Sequence, residues 1–151
     1  MGEGVRVEFK ETFLYDVHQD QANKGLKTEV AKEICSFANA QGGTLVIGIE
    51  DSEREVKGIE RDLRLMKDGK DDFELQLNQT VRDKLGESFA SLCTQVEFEE
   101  IENSEICVVT VERSSEPVFY GDGKDFYVRI GSSANPLSIQ EANKYINQNW
   151  A

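Results

Sequence analysis

The segment Ser36-Phe-Ala-Asn-Ala-Gln-Gly-Gly-Thr-Leu-Val-Ile-Gly-Ile-Glu-Asp51 constrains the fold more tightly than any other part of the chain. It reads as the end of a helix, a glycine stop, a buried strand and two carboxylates at the strand's exit. Upstream, Val30, Ala31, Ile34, Phe37 and Ala38 recur on one side, which predicts an amphipathic helix over Thr28–Asn39. Thr28 suits its N-cap and Glu29 its first turn. Gly42 and Gly43 can take the positive φ that stops a helix cheaply. Leu45-Val-Ile47 has the length and character of a strand. Glu50 and Asp51 then sit where a strand edge meets solvent.

The flanking sequence supplies the partners. Val5, Val7 and Phe9 alternate with Arg6, Glu8 and Lys10, predicting a half-buried strand. Asp16 to Gly25 reads as loop. Asp51 to Arg54 reads as a hairpin turn leading to a strand over Arg54 to Ile59. Glu60 to Asp72 is charged, anchored by Leu63 and Met66, and reads as a helical turn or two or a mobile loop. Phe73, Leu77, Val81 and Leu85 mark a helix over Phe73 to Leu92, with Gly86 as its stop. Val96 and Phe98 alternate with charge, and a change of phase at Glu99-Glu100-Ile101 predicts a bulge or strand end. Ile106 to Val111 is apolar on both faces, as a central strand should be. Phe126 to Ile130 alternates again. Ser138 with Glu141 forms a capping box for a last helix, Ile139 to Trp150. This order of elements predicts an α+β layer fold.

The chain has 151 residues, enough for one domain over 1–151 with a core of its own. No apolar run approaches the roughly 20 residues of a membrane helix. The N-terminal stretch lacks the apolar core of a secretory signal, and Cys35, Cys93 and Cys107 match neither a disulfide framework nor zinc-ligand spacing. A cytoplasmic protein with core cysteines and a surface His18 is the expectation. The net charge of −12 weighs against strong non-specific duplex binding, though not against a local basic strip or a metal-bridged phosphate site.

Four ordered blocks carry a family likeness: Val7-Glu8-Phe9-Lys10, the Ser36 to Asp51 segment, Val56-Lys-Gly-Ile59, and Phe126-Tyr-Val-Arg-Ile-Gly-Ser-Ser133 with Pro136. Together they resemble the Schlafen-type Alba-like domain, from about Glu3 to Tyr145. The resemblance implies a mixed, mostly antiparallel sheet with about three packed helices. It implies nucleic-acid binding, to RNA or DNA, often within prokaryotic regulators or defence proteins; pairing into a homodimer is consistent with this domain type. Animal Schlafen relatives include endoribonucleases that cut transfer and ribosomal RNA with three carboxylates. Glu3 and Glu8 match the first two, and Glu50 or Asp51 the third. The chain departs from those nucleases in having one lobe rather than two and in being acidic. It also lacks the winged-helix segment that often follows the domain in prokaryotes.

Two site readings follow. In the first, Glu3, Glu8 and Glu50 or Asp51 gather on magnesium or manganese, which polarises a phosphoryl oxygen and activates water. Odd spacing sets Glu3 and Glu8 on opposite faces of one strand, so convergence needs a turn near Gly4. Otherwise Glu8 is a surface strand residue, and Lys10 its ion-pair partner rather than a cation for phosphate. In the second, Lys10, Tyr127, Arg129, Ser132 and Ser133 contact nucleic acid: a ring for a base, a guanidinium for phosphate, and a Gly131-Ser132-Ser133 turn as an anion nest. A solvated strand face and an ordinary turn are the alternative. Arg54, Lys57, Arg61, Arg64, Lys67 and Lys70 read as a basic strip or a charge-mixed surface, and Asn39 as part of the helix end. A third function, from another class, is a protein-interaction module whose acidic surface binds a basic partner.

Overall fold

The computed structural model describes residues 6–121, 123 and 125–150. Its main sheet has the order β1-β4-β6-β5. These strands are β1 Val7–Lys10, β4 Gly43–Ile47, β5 Thr94–Ile101 and β6 Ser104–Val111. β1 runs parallel to β4, and the other two pairings are antiparallel. A parallel pair needs a crossover. Here it passes through a small hairpin, β2 Tyr15–Asp16 with β3 Gln21–Ala22, and helix α1, Gly25–Ala38.

The apolar stripe of α1 is buried as its periodicity requires, Val30, Ala31, Ile34, Phe37 and Ala38 all being at most 1% exposed. It packs on the sheet face formed by Leu45, Ile47, Cys107, Val109 and Val111. Alternation sends Phe9, Val46 and Ile106 to the opposite face, where Val7, Val56 and Val108 complete a smaller cluster. The helix begins earlier than its predicted Thr28 cap: Asn23 Oδ1 accepts from the Gly25 N–H at 2.9 Å and starts the first turn there. The glycine stop has a steric basis. Gly42 has φ +74°, and a Cβ on Gly43 would lie 2.4 Å from the Phe37 ring and 2.7 Å from the Arg6 carbonyl.

The charged stretch holds a short helix, α2 Glu60–Leu63, and α3 starts at Gly69 rather than Phe73. α3 ends at Leu85, and the predicted single helix is two, because Gly86 at φ +100° breaks it before α4, Glu87–Cys93. β6 occupies the central position its sequence predicts. Of the bulge or strand end expected at Glu99 to Ile101, the structure has the strand end: β5 pairs with β6 without interruption from Thr94 and stops at Ile101. The phase change marks a hairpin tip exposed on both sides, closed by Glu102 and Asn103 at φ 52° and 64°. Cys35 and Cys107 are core residues, burial pushing both thiols up to about 12, while Cys93 is only half-buried.

The last strand pairs apart from the main sheet. β7 Tyr127–Ile130 and β8 Ser133–Pro136 form their own hairpin, backed by α5, Ile139–Asn149. Phe126, Val128 and Ala142 make the seam with Tyr145 and Trp150. The Ser138–Glu141 capping box is present as predicted. Five helices in all accompany the mixed sheet among the described residues, and none is long and apolar enough to cross a membrane.

Candidate nucleic-acid interface

Three of the family-like blocks meet where β1, α1 and β7 come together. Glu8 and Lys10 share one face of β1, as even spacing demands, and that face looks toward α1. β7 lies on the other side, so Arg129 enters between them. Its guanidinium donates to Glu8 and to Glu33, each at 2.7 Å, and to the Val7 carbonyl at 3.3 Å. It also stands 4.4 Å from the centroid of the Phe37 ring. Lys10 Nζ is 3.3 Å from Glu33 and 4.0 Å from Glu8. Among the described residues, two cations and two carboxylates face one another in this largely buried group. A fork of fixed geometry suits two carboxylates better than an ammonium would.

This differs from a solvated Tyr127–Arg129 face. Arg129 is 5% exposed, and Ile130, expected inward, is 56% exposed. The reason is that α1 covers the polar side of β7 while the hairpin end beyond Val128 projects past the core. Glu33 is the residue that sequence reading missed. Its signal was a carboxylate set within the Val30–Ile34–Phe37 stripe, where only a partner could hold a charge.

Tyr127 stays half-buried, with Lys32 Nζ 5.7 Å from its ring centroid. The Gly131-Ser132-Ser133 turn is the exposed tip of the β7–β8 hairpin, with Gly131 at φ +62°, and the Asn135 side chain donates to the Ser133 carbonyl and hydroxyl, each at 3.1 Å. Lys10 keeps 28% of its side chain exposed.

Glu50 and Asp51 lie apart from this group. Glu3 lies outside the described residues. Parallel pairing sets Glu8 beside Leu45, so Glu50 and Asp51 lie beyond the end of β4, past Lys10 and away from Glu8. Glu50 closes its own turn, accepting from the Ser52 hydroxyl and N–H and from the Glu53 N–H at 3.0 Å. The Ser52 hydroxyl first, then these N–H groups, hold its carboxyl below the usual range. Asp51 is exposed in that turn. Among the described residues no three His, Cys, Asp or Glu side chains gather to hold a metal ion.

A family model described as Schlafen, AlbA_2 matches residues 3–138. The chain belongs to the Schlafen, AlbA_2 family. Its fold is similar to the crystal structure of the DIP2311 protein from Corynebacterium diphtheriae, with a TM-score of 0.64 at 21% identity. That match covers 92% of this chain and 26% of the other, so the chain spans about a quarter of the length of that protein.

Within this Schlafen, AlbA_2 chain the Gly-Gly block does more than stop a helix. Asn39, fully buried, donates through its side chain to the Val118 carbonyl at 2.8 Å and the Tyr127 carbonyl at 2.9 Å, and accepts from the Val118 N–H at 2.9 Å. It thus fixes β7 to the end of α1, a role wider than closing the helix. The charged segment resolves into local pairs: Lys57 with Glu55, Arg61 with Glu11, Lys70 with Glu105. Arg54 lies 5.1 Å from the centroid of Phe9. Asp62, within the same charged segment, is fully buried and accepts from the N–H groups of Phe13, Leu14 and Tyr15 at 2.7 to 3.0 Å.

Proposed function

We propose that this Schlafen, AlbA_2 chain binds nucleic acid along the seam between α1 and β7, favouring RNA or another single strand over duplex. Family membership supports the class of ligand. The observation that carries the reading is Tyr127: a half-buried ring with an ammonium beside it, on the strand that leads to the exposed Ser132–Ser133 turn. The face of such a ring accepts any base by stacking. The net charge of −12 repels a duplex at long range, so binding depends on local contacts made to unpaired bases. Lys10, Ser132 and Ser133 serve phosphate and sugar. Arg129 acts from beneath, holding β7 against α1 through Glu8 and Glu33.

The test is fluorescence anisotropy with labelled single-stranded RNA, single-stranded DNA and duplex DNA over a salt series. Tyr127→Ala is expected to weaken single-strand binding by about 1–3 kcal/mol. Wild-type protein that binds none of these probes at low salt would remove the reading.

A further inference from the structure

The contact between Lys32 and Tyr127 continues beyond Tyr127. The Tyr127 ring meets Tyr120 edge-on, with centroids 5.5 Å apart and planes at 80°. Lys84 Nζ stands 5.8 Å from the Tyr120 centroid. Lys32, Tyr127, Tyr120 and Lys84 are thus joined contact by contact into one cluster, contributed by α1, β7, the loop before β7 and the last turn of α3. Hydrogen bonds hold the cluster in place: the Gly121 N–H donates to the Lys84 carbonyl at 2.8 Å, and the Asn39 side chain donates to the Tyr127 carbonyl. Tyr120 is buried, while Tyr127, Lys32 and Lys84 remain partly open to solvent.

We infer that Lys32 and Lys84 are phosphate contacts of the single-stranded nucleic-acid site in addition to Lys10, Ser132 and Ser133, with Tyr127 as its base platform and Tyr120 as the support of that ring. This rests on the nucleic-acid reading above and adds the residues that set where the strand runs. Cations bracketing an aromatic pair suit a chain whose charge recurs along a backbone and whose bases stand free to stack. A paired duplex hides those faces, and an acidic peptide has charge without the ring. A base entering on Tyr127 takes the place of the ammonium near the ring, and the flexible Lys32 stem carries its charge to the adjoining phosphate. Glu29 competes for that ammonium: its carboxylate lies 3.5 Å from Lys32 Nζ and its side chain is 55% exposed. The site therefore contains its own anionic competitor, which a phosphate must displace.

The experiment titrates the full chain into labelled oligouridylate and oligodeoxythymidylate across a potassium chloride series, with a thermal melt of every variant to confirm folding. Lys32→Gln and Lys84→Gln are each expected to weaken binding and to reduce the slope of log K against log salt by about 0.7. Glu29→Gln should tighten binding, a gain that a merely damaged fold would not produce. Tyr127→Ala should lose roughly 5- to 150-fold. Lys84→Gln with unchanged affinity and slope, in a protein that Tyr127→Ala weakens, would overturn the inference and leave the broader reading standing. Polyglutamate displacing the probe as well as unlabelled RNA would also overturn it, since charge alone would then suffice. Wild-type protein without affinity for either probe would overturn both.

Discussion

The Arg129 guanidinium and the Glu8 carboxylate meet at 2.7 Å across the junction of two separate sheets, both side chains almost wholly shielded from water. Arg129 extends the bond to Glu33 on α1 at the same distance, so one side chain joins β1, α1 and β7.

Removing that side chain should unlatch the hairpin. Breaking a buried ion pair by deleting one partner costs about 3–5 kcal/mol, because the other charge is left unpaired. Arg129→Ala is expected to lie in this range, and Arg129→Lys to recover only part of it, since an ammonium cannot fork onto two carboxylates. Urea denaturation of both variants measures this. Equal midpoints for wild type and Arg129→Ala would show that the cluster does not hold the hairpin in place.

Asp62 gives a pH signature. Burial is the largest influence on its carboxyl and raises its proton affinity, against three backbone N–H bonds and Arg61 that lower it. A folded-state pKa above the unfolded one stabilises the fold most below the unfolded pKa, and that contribution fades as pH rises through the folded value. Asp16, Glu50 and Glu141 have the opposite sign. Hydrogen bonds from Asn23, Ser52 and Ser138 respectively lower them, so their contributions are present above the unfolded pKa and are lost as pH falls through the folded values. Asp62→Asn is expected to cost about 1–3 kcal/mol at neutral pH, by weakening bonds to buried donors. It should also lose stability more steeply than wild type on acidification below pH ~5, the compensating contribution being gone. Parallel pH–stability curves for the two proteins would contradict this assignment.

Gly43→Ala should destabilise the junction of β1, α1 and β4. The new methyl would overlap the Phe37 ring at 2.4 Å and the Arg6 carbonyl at 2.7 Å, and α1 and β1 cannot both retreat. Overpacking of this kind costs about 1–3 kcal/mol or more. A chemical melt showing no loss for Gly43→Ala would mean that the β1–α1–β4 junction is looser than its geometry indicates.

Asn39→Asp tests the tie between α1 and β7. The substitution keeps size but replaces two donated bonds with a carboxylate facing the Val118 and Tyr127 carbonyls. A loss of about 2–4 kcal/mol is expected from two unmade bonds and a buried charge. Because Tyr127 would shift with its backbone, oligonucleotide affinity should fall under conditions where the variant is still folded. Unchanged affinity in folded Asn39→Asp would separate this tie from the binding seam.

Much of the architecture was legible in local pattern. The spacing of Val30, Ile34 and Phe37 predicted α1, Gly42–Gly43 its stop, Ser138 with Glu141 the start of α5, and the two-sided apolar run of β6 its central position. These features depend on neighbours a few residues away, which is the range over which periodicity and backbone sterics act. The same reasoning placed Glu8 with Lys10, and Tyr127 with Arg129, on common strand faces. What covered those faces was another matter. Whether a strand's polar side meets water or a helix depends on packing between residues as distant as Glu8 and Arg129, and alternation is identical in both cases. Only the tertiary structure decided that α1 would lie over them, turning two expected surface charges into a buried latch, enclosing Asp62 around three N–H groups, and leaving Tyr127 at the rim.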